Sequence, residues 1–133
     1  MKVTALLATF LLTISVQAKD LTHSVGLTCT SKAGTLAFTV NAASKKIAFS
    51  DVKAFGNAHI QKKKSLDIDT QNNDAYSSEL QFSYNWYFTA RYELKFDKNL
   101  QGLKSGQEVG ALFSGDDFDN NNFNELALNC HKK

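Results

Sequence analysis

Proline is absent from the 133-residue chain, where average usage near 5% would place about seven. Turns must therefore be built from Gly, Asn, Asp and Ser, and no X-Pro isomerisation can slow folding. Charge of one sign is lacking as well, since 15 basic residues against 13 acidic ones leave a formal charge of +2. That near-balance excludes both the strongly basic field that seeks nucleic acid and the acidic excess of a disordered tail. Catalytic signatures are missing: the sequence has no P-loop, dinucleotide fingerprint or serine nucleophile elbow. The histidines His23, His59 and His131 stand far apart, outside any metal-ligand spacing.

The N-terminus carries the first positive signal. Met1-Lys2 precedes an apolar stretch from Val3 to Val16 without an acidic or basic residue, and Val16-Gln17-Ala18 precedes the charged pair Lys19-Asp20. This pattern predicts a secretory signal peptide over residues 1–18, cleaved after Ala18, and a bacterial source. A spanning helix wants about 20 apolar residues, and this run is shorter and diluted by Thr4, Thr9, Thr13 and Ser15. The expected product, residues 19–133, is long enough for one modest core and too short for two. It is expected in the periplasm or outside the cell, not spanning a membrane. Cys29 and Cys130 should pair in that oxidising setting and tie the first strand to the last.

Along residues 19–133 the dominant signal is alternation, the period of a strand with one face in a core. Val25, Leu27 and Cys29 alternate with polar neighbours, Ser31 to Gly34 supplies turn chemistry, and Leu36, Phe38 and Val40 alternate again, which reads as a hairpin. Residues 44–56 admit either a strand carrying Ile47 and Phe49 or a short helix; the strand is favoured. Leu66, Ile68 and Thr70 suggest another strand, with a turn from Gln71 to Asp74. From Leu80 to Phe96 every even position is apolar, and the odd ones are polar except Tyr87. A straight strand of that length would run about 56 Å, against a radius of gyration near 13 Å for a domain of this size. The run must therefore bend, through an odd-length loop near Asn85 or a bulge between two sheets. Strands are also expected near Glu108 to Phe113 and over Leu126, Leu128 and Cys130. The sum is an all-β domain, one small antiparallel β-sandwich or closed β-barrel of seven to nine strands.

Four features are candidates for chemistry. In the run from Asp116 to Glu125, the residues Asp117, Asp119 and Asn121 have the one, three, five spacing of a calcium loop, with Glu125 at the ninth place. Asn122 replaces the usual glycine and Leu128 the twelfth-place glutamate, so the same residues also suit a plain hairpin loop. The aromatic stripe reads as core. Tyr87, between Asn85, Thr89 and Arg91 on the polar face, is the exposed candidate for a partner contact, together with Arg91 itself and Phe118. Lys62 to Lys64 reads as solvated edge protection and not as a nucleic-acid site. Glu79 and Glu93 could act as acid and base only if folding brought them together.

An early and a final strand cysteine around an exported β domain of this size resemble the small periplasmic lysozyme inhibitors of Gram-negative bacteria. Their serine-glycine loop and tryptophan-containing motif have no counterpart here, because Trp86 falls within the core stripe. The resemblance therefore implies an architecture and transfers no inhibitory residue. The expected function is that of a non-catalytic exported module binding a protein or envelope polymer, with the loop from Ser114 to Asn124 as the first place to look. A calcium-assisted carbohydrate- or ligand-binding sandwich is the alternative, and a small hydrolase the third.

Overall fold

Side chains two apart share a face, so a segment alternating apolar with polar residues has one face to bury. Eight segments meet that demand in the computed structural model, which describes residues 19–32, 34–53, 60, 65–85, 89–116 and 122–133, the side chains at 53 and 123 excepted. They are β1 (Val25–Ser31), β2 (Gly34–Asn41), β3 (Lys46–Lys53), β4 (Ser65–Asn73), β5 (Ser78–Asn85), β6 (Thr89–Phe96), β7 (Glu108–Asp116) and β8 (Phe123–Lys132). Each strand pairs antiparallel with the next, and β8 returns to β1, so the sheet closes into an up-and-down barrel. Of the two architectures open to the sequence, the barrel is the one formed.

Eight strands enclose an interior that side chains can fill, and here aromatic rings do much of the filling. The Phe82 ring stacks on Tyr92 at 5.5 Å and on Phe113 at 6.5 Å, and Phe49 reaches it at 5.8 Å. Phe38 continues the chain of rings from Phe49 to Phe96. Leucines and valines from every side of the barrel, such as Leu27, Val40 and Leu94, complete a core from which water is excluded. The described strands thus turn apolar residues inward and polar ones outward, the inverse of a lipid-embedded barrel. Among the described residues no helix is long and apolar enough to cross a membrane.

The two ends of the ladder meet at Cys29 and Cys130, which face each other across β1 and β8 and form a disulfide. At the rim where β1 begins, the chain is sealed by its own polar groups. Leu21 packs into the core, while the Lys19 amide donates to the Asn73 carbonyl at 3.2 Å. The buried Asn73 side chain donates to the Lys19 carbonyl and accepts from the Ser78 hydroxyl, which in turn accepts from the Leu100 amide at 2.9 Å. The 3-10 turn Leu100–Gly102 lies at the same rim, so buried polar atoms there are satisfied.

Three bulges interrupt the ladders and bend the strands for closure. Ser50 is the extra residue on β3, its hydroxyl donating to the Ala37 carbonyl at 3.2 Å. Asp69 is the extra residue on β4. On β8, Asn124 and Glu125 together oppose Ser114 of β7, and Glu125 takes a φ of 50°. That is the left-handed region, which a glutamate occupies at a cost.

Several expectations change. Residues Gln71 to Asn73 belong to β4, and the turn lies at Asp74 to Ser77, where the Asp74 carboxylate accepts amides from Tyr76 at 2.7 Å and Ser77 at 2.8 Å. Those bonds hold the Asp74 carboxyl below its usual range, the Tyr76 amide contributing most. The expected loop from Ser114 to Asn124 is shorter than read, because β7 runs to Asp116 and β8 starts at Phe123, with Gly115 paired to Phe123. The strand favoured for residues 44–56 does form, over Lys46–Lys53. The long even-numbered stripe bends by the odd-length loop, one of the two ways expected: Asn85 pairs with Thr89 across three residues, so Leu80, Phe82, Ala90, Tyr92, Leu94 and Phe96 all stay inside.

Candidate functional site

The outward residues of a sheet line up in rows across its strands, because each cross-strand pair shares a face. On the outer wall formed by β4 to β7 one such row runs Thr70, Gln81, Glu93, Ser114, from the pairs Thr70↔Gln81, Gln81↔Glu93 and Glu93↔Ser114. The next row toward the rim where β5 ends runs Asp67, Ser83, Arg91, Asp116. Over these rows lies an open concavity of about 930 Å³. Asp69 and Ser83 line one side, Arg91 and Glu93 the middle, and Asp116 and Asn124 the other.

The two rows differ in how far they satisfy themselves. In the first, Thr70 Oγ1 donates to Gln81 Oε1 at 2.9 Å, and Gln81 Nε2 donates to Glu93 Oε2 at 2.9 Å. Lys95 Nζ lies 3.3 Å from Glu93 Oε1. Ser114 Oγ accepts from the Glu125 amide at 3.0 Å and donates to Asn124 Oδ1 at 3.3 Å, tying the β8 bulge to the wall. In the second row Asp67 pairs with Lys46 at 3.5 Å, whereas the side chains of Ser83, Arg91 and Asp116 make no hydrogen bond or ion pair among the described residues, although Arg91 and Asp116 stand directly opposite one another. The side chain of the bulged Asp69 likewise has no partner among the described residues. One row satisfies itself, and Ser83, Arg91 and Asp116 of the other offer open donors and acceptors.

Glu79 and Glu93, on neighbouring strands and one pair out of register, are brought together. Partial burial and the adjacent Glu93 carboxylate push the Glu79 carboxyl up. Glu93 feels the same burial, but hydrogen bonds from Gln81 and Lys95 hold it below its usual range. The Glu93 carboxylate in turn raises Lys95, which keeps its charge.

Of the residues singled out in the sequence, Arg91 lies in the middle of the concavity. Glu125 is exposed on the β8 bulge, its amide held by Ser114. Tyr87, Phe118, Asp117, Asp119 and Asn121 lie outside the described residues, as do Trp86, Lys62 to Lys64 and residues 1–18. Among the described residues no group of three or more His, Cys, Asp or Glu is placed to hold a metal ion. Sequence reasoning missed Asp69 and Ser83, while Asp116 falls within the loop from Ser114 to Asn124 that it put first. Ser83 sits on the polar parity of the 80–96 stripe and was open to detection, whereas Asp69 and Asp116 join it through a bulge and a β6–β7 register that alternation does not encode.

These features define a class, an eight-stranded closed barrel with a filled interior, a disulfide seam and a polar hollow on its outer wall. Comparison of the chain with family models, curated proteins and solved structures finds no match.

Proposed function

We propose that this barrel is a non-catalytic, exported binding module that meets a protein or envelope polymer on the outer wall of β4 to β7. The observation that carries the reading is the open row Ser83, Arg91, Asp116 beside the self-satisfied row Gln81, Glu93, Ser114. Charged and hydroxyl groups left without side-chain partners among the described residues, on strands paired on both sides, are a preorganised recognition surface. Bulges gather at such places because they re-aim side chains, and two of the three flank this wall.

Export is supported by the N-terminal pattern and by the Cys29–Cys130 disulfide, which persists in oxidising compartments. Cleavage after Ala18 would leave Lys19 as first residue, already bonded to Asn73 at the sealed rim. The interior is filled by packed side chains such as Phe38, Phe82 and Phe113, which favours the outer wall over the lumen as the binding surface.

The test is retention of envelope material on immobilised processed protein, compared with an Arg91→Ala/Asp116→Ala variant. We expect a partner retained by the first and lost by the second, with unchanged circular dichroism. Identical retention by both refutes the wall assignment.

A further inference from the structure

We infer that the partner of this wall is a neutral, hydroxyl-rich glycan chain, held across Asp69, Ser83, Arg91 and Asp116. The inference rests on the binding reading above and names its ligand class. A cleft of about 930 Å³ is at the upper end of the range that takes a small ligand, roughly 300–1,000 Å³, and so admits a short stretch of polymer.

The lining then narrows the chemistry. A lipid needs an apolar floor, and the rings beneath this wall, Phe82 and Tyr92, are no more than 2% exposed. A protein interface centres on aromatic or aliphatic anchors; the large apolar residues exposed among the described residues are Tyr76 and Leu112, and neither lines the hollow. A polyanion would meet three carboxylates, Asp69, Glu93 and Asp116, against the single guanidinium of Arg91. A polycation would find little net field, because Lys95 already neutralises Glu93 at 3.3 Å and Arg91 offsets one of the two remaining carboxylates, Asp69 and Asp116.

What remains is a ligand without net charge that gives and receives hydrogen bonds at close intervals. A sugar hydroxyl is at once a donor and an acceptor, while an ionised carboxylate only accepts and a guanidinium only donates. Strands about 4.8 Å apart place Arg91 and Asp116 side by side, so adjacent hydroxyls of one sugar ring can receive from the guanidinium and give to the carboxylate. Ser83, which does both, serves the same chain from β5. Charge-assisted bonds of this kind are the strong ones, and here neither group must first break a bond to another described residue.

The test uses the processed protein, an array of neutral oligosaccharides of hexose and N-acetylhexosamine in α and β linkage, and polyphosphate as the anionic probe. We expect at least one neutral oligosaccharide to bind, with a Kd that changes less than about twofold between roughly 50 and 200 mM salt, since no counterions are released. Arg91→Ala and Asp116→Asn should each weaken it about tenfold or more. The inference is overturned if no neutral oligosaccharide binds, if binding is indifferent to both variants, or if polyphosphate binds instead with a steep salt dependence. Should glycans fail while retention of envelope material still depends on Arg91 and Asp116, the ligand class is wrong and the wall stands. If both fail, the binding reading falls with it.

Discussion

Replacing Cys29 and Cys130 together by alanine removes the one covalent link across the seam where the barrel closes on itself. The bridged residues lie 101 positions apart, and in the chain-entropy model a loop of about 100 residues is worth about 4.7 kcal/mol at 25 °C. Both cysteines are fully buried against the core, so deleting two sulfurs also removes packing and does not offset that loss. The fold should survive, because the Leu27↔Lys132 to Thr30↔Asn129 ladder still joins β1 to β8. Urea unfolding of residues 19–133 and of the same chain with both substitutions, followed by circular dichroism, measures the difference. We expect a loss of about 4–5 kcal/mol, a larger denaturant slope because the freed chain unfolds to a more exposed state, and a Tm lower by about 20 °C at roughly 4 °C per kcal/mol. Since small domains hold only about 5–15 kcal/mol in all, the variant should be close to its folding limit at 37 °C. A loss below about 1 kcal/mol, or two titratable thiols in the untreated native protein, would refute the reasoning.

Phe82→Ala, which empties the space between Tyr92, Phe113 and Phe49, should cost about 3–5 kcal/mol in the same assay. Gly110→Ala puts a Cβ 2.6 Å from Asp97 Oδ2 and displaces the carboxylate that accepts the Gly110 amide at 2.9 Å; we expect a cost of about 1–2 kcal/mol that disappears in an Asp97→Ala background, and an equal cost in both backgrounds would contradict the clash. The Glu79 carboxyl has a folded pKa above its unfolded value, so its ionised form disfavours the fold at neutral pH and that penalty fades as pH falls through the raised pKa. Glu79→Gln should therefore be more stable than the parent at pH 7 and lose that advantage on acidification, as unfolding curves across the pH range will show. Calcium at about 1 mM should leave the Tm unchanged; a rise abolished by Asp117→Ala and Asp119→Ala would make the 117–125 segment a metal site.

The sequence by itself determined the strands and their inward faces. Val25, Leu27 and Cys29, Leu36, Phe38 and Val40, and the even positions from Leu80 to Phe96 announce their burial because alternation is a local property, readable two residues at a time. The same parity argument left an odd-length loop near Asn85 or a bulge as the ways to bend, and the pairing of Asn85 with Thr89 is the first of these. The two cysteines, in the first and last alternating segments, made the seam legible before any fold was known.

Tertiary structure alone decided closure, register and the hollow on the wall. Sandwich and barrel share one alternating pattern; they differ in whether β8 finds β1, which depends on twist and bulges accumulated over all eight strands. The turn at Asp74 and the extension of β7 to Asp116 were set by pairing partners, Asn73 with Ser78 and Gly115 with Phe123, which lie outside any short window of sequence. Asp69 owes its place to an extra residue in β4, and Arg91 faces Asp116 only because the register of β6 on β7 puts them there. Hydrogen-bond ladders are indifferent to side-chain identity, so the chain specifies which face is dry far more sharply than which polar groups meet on the wet one.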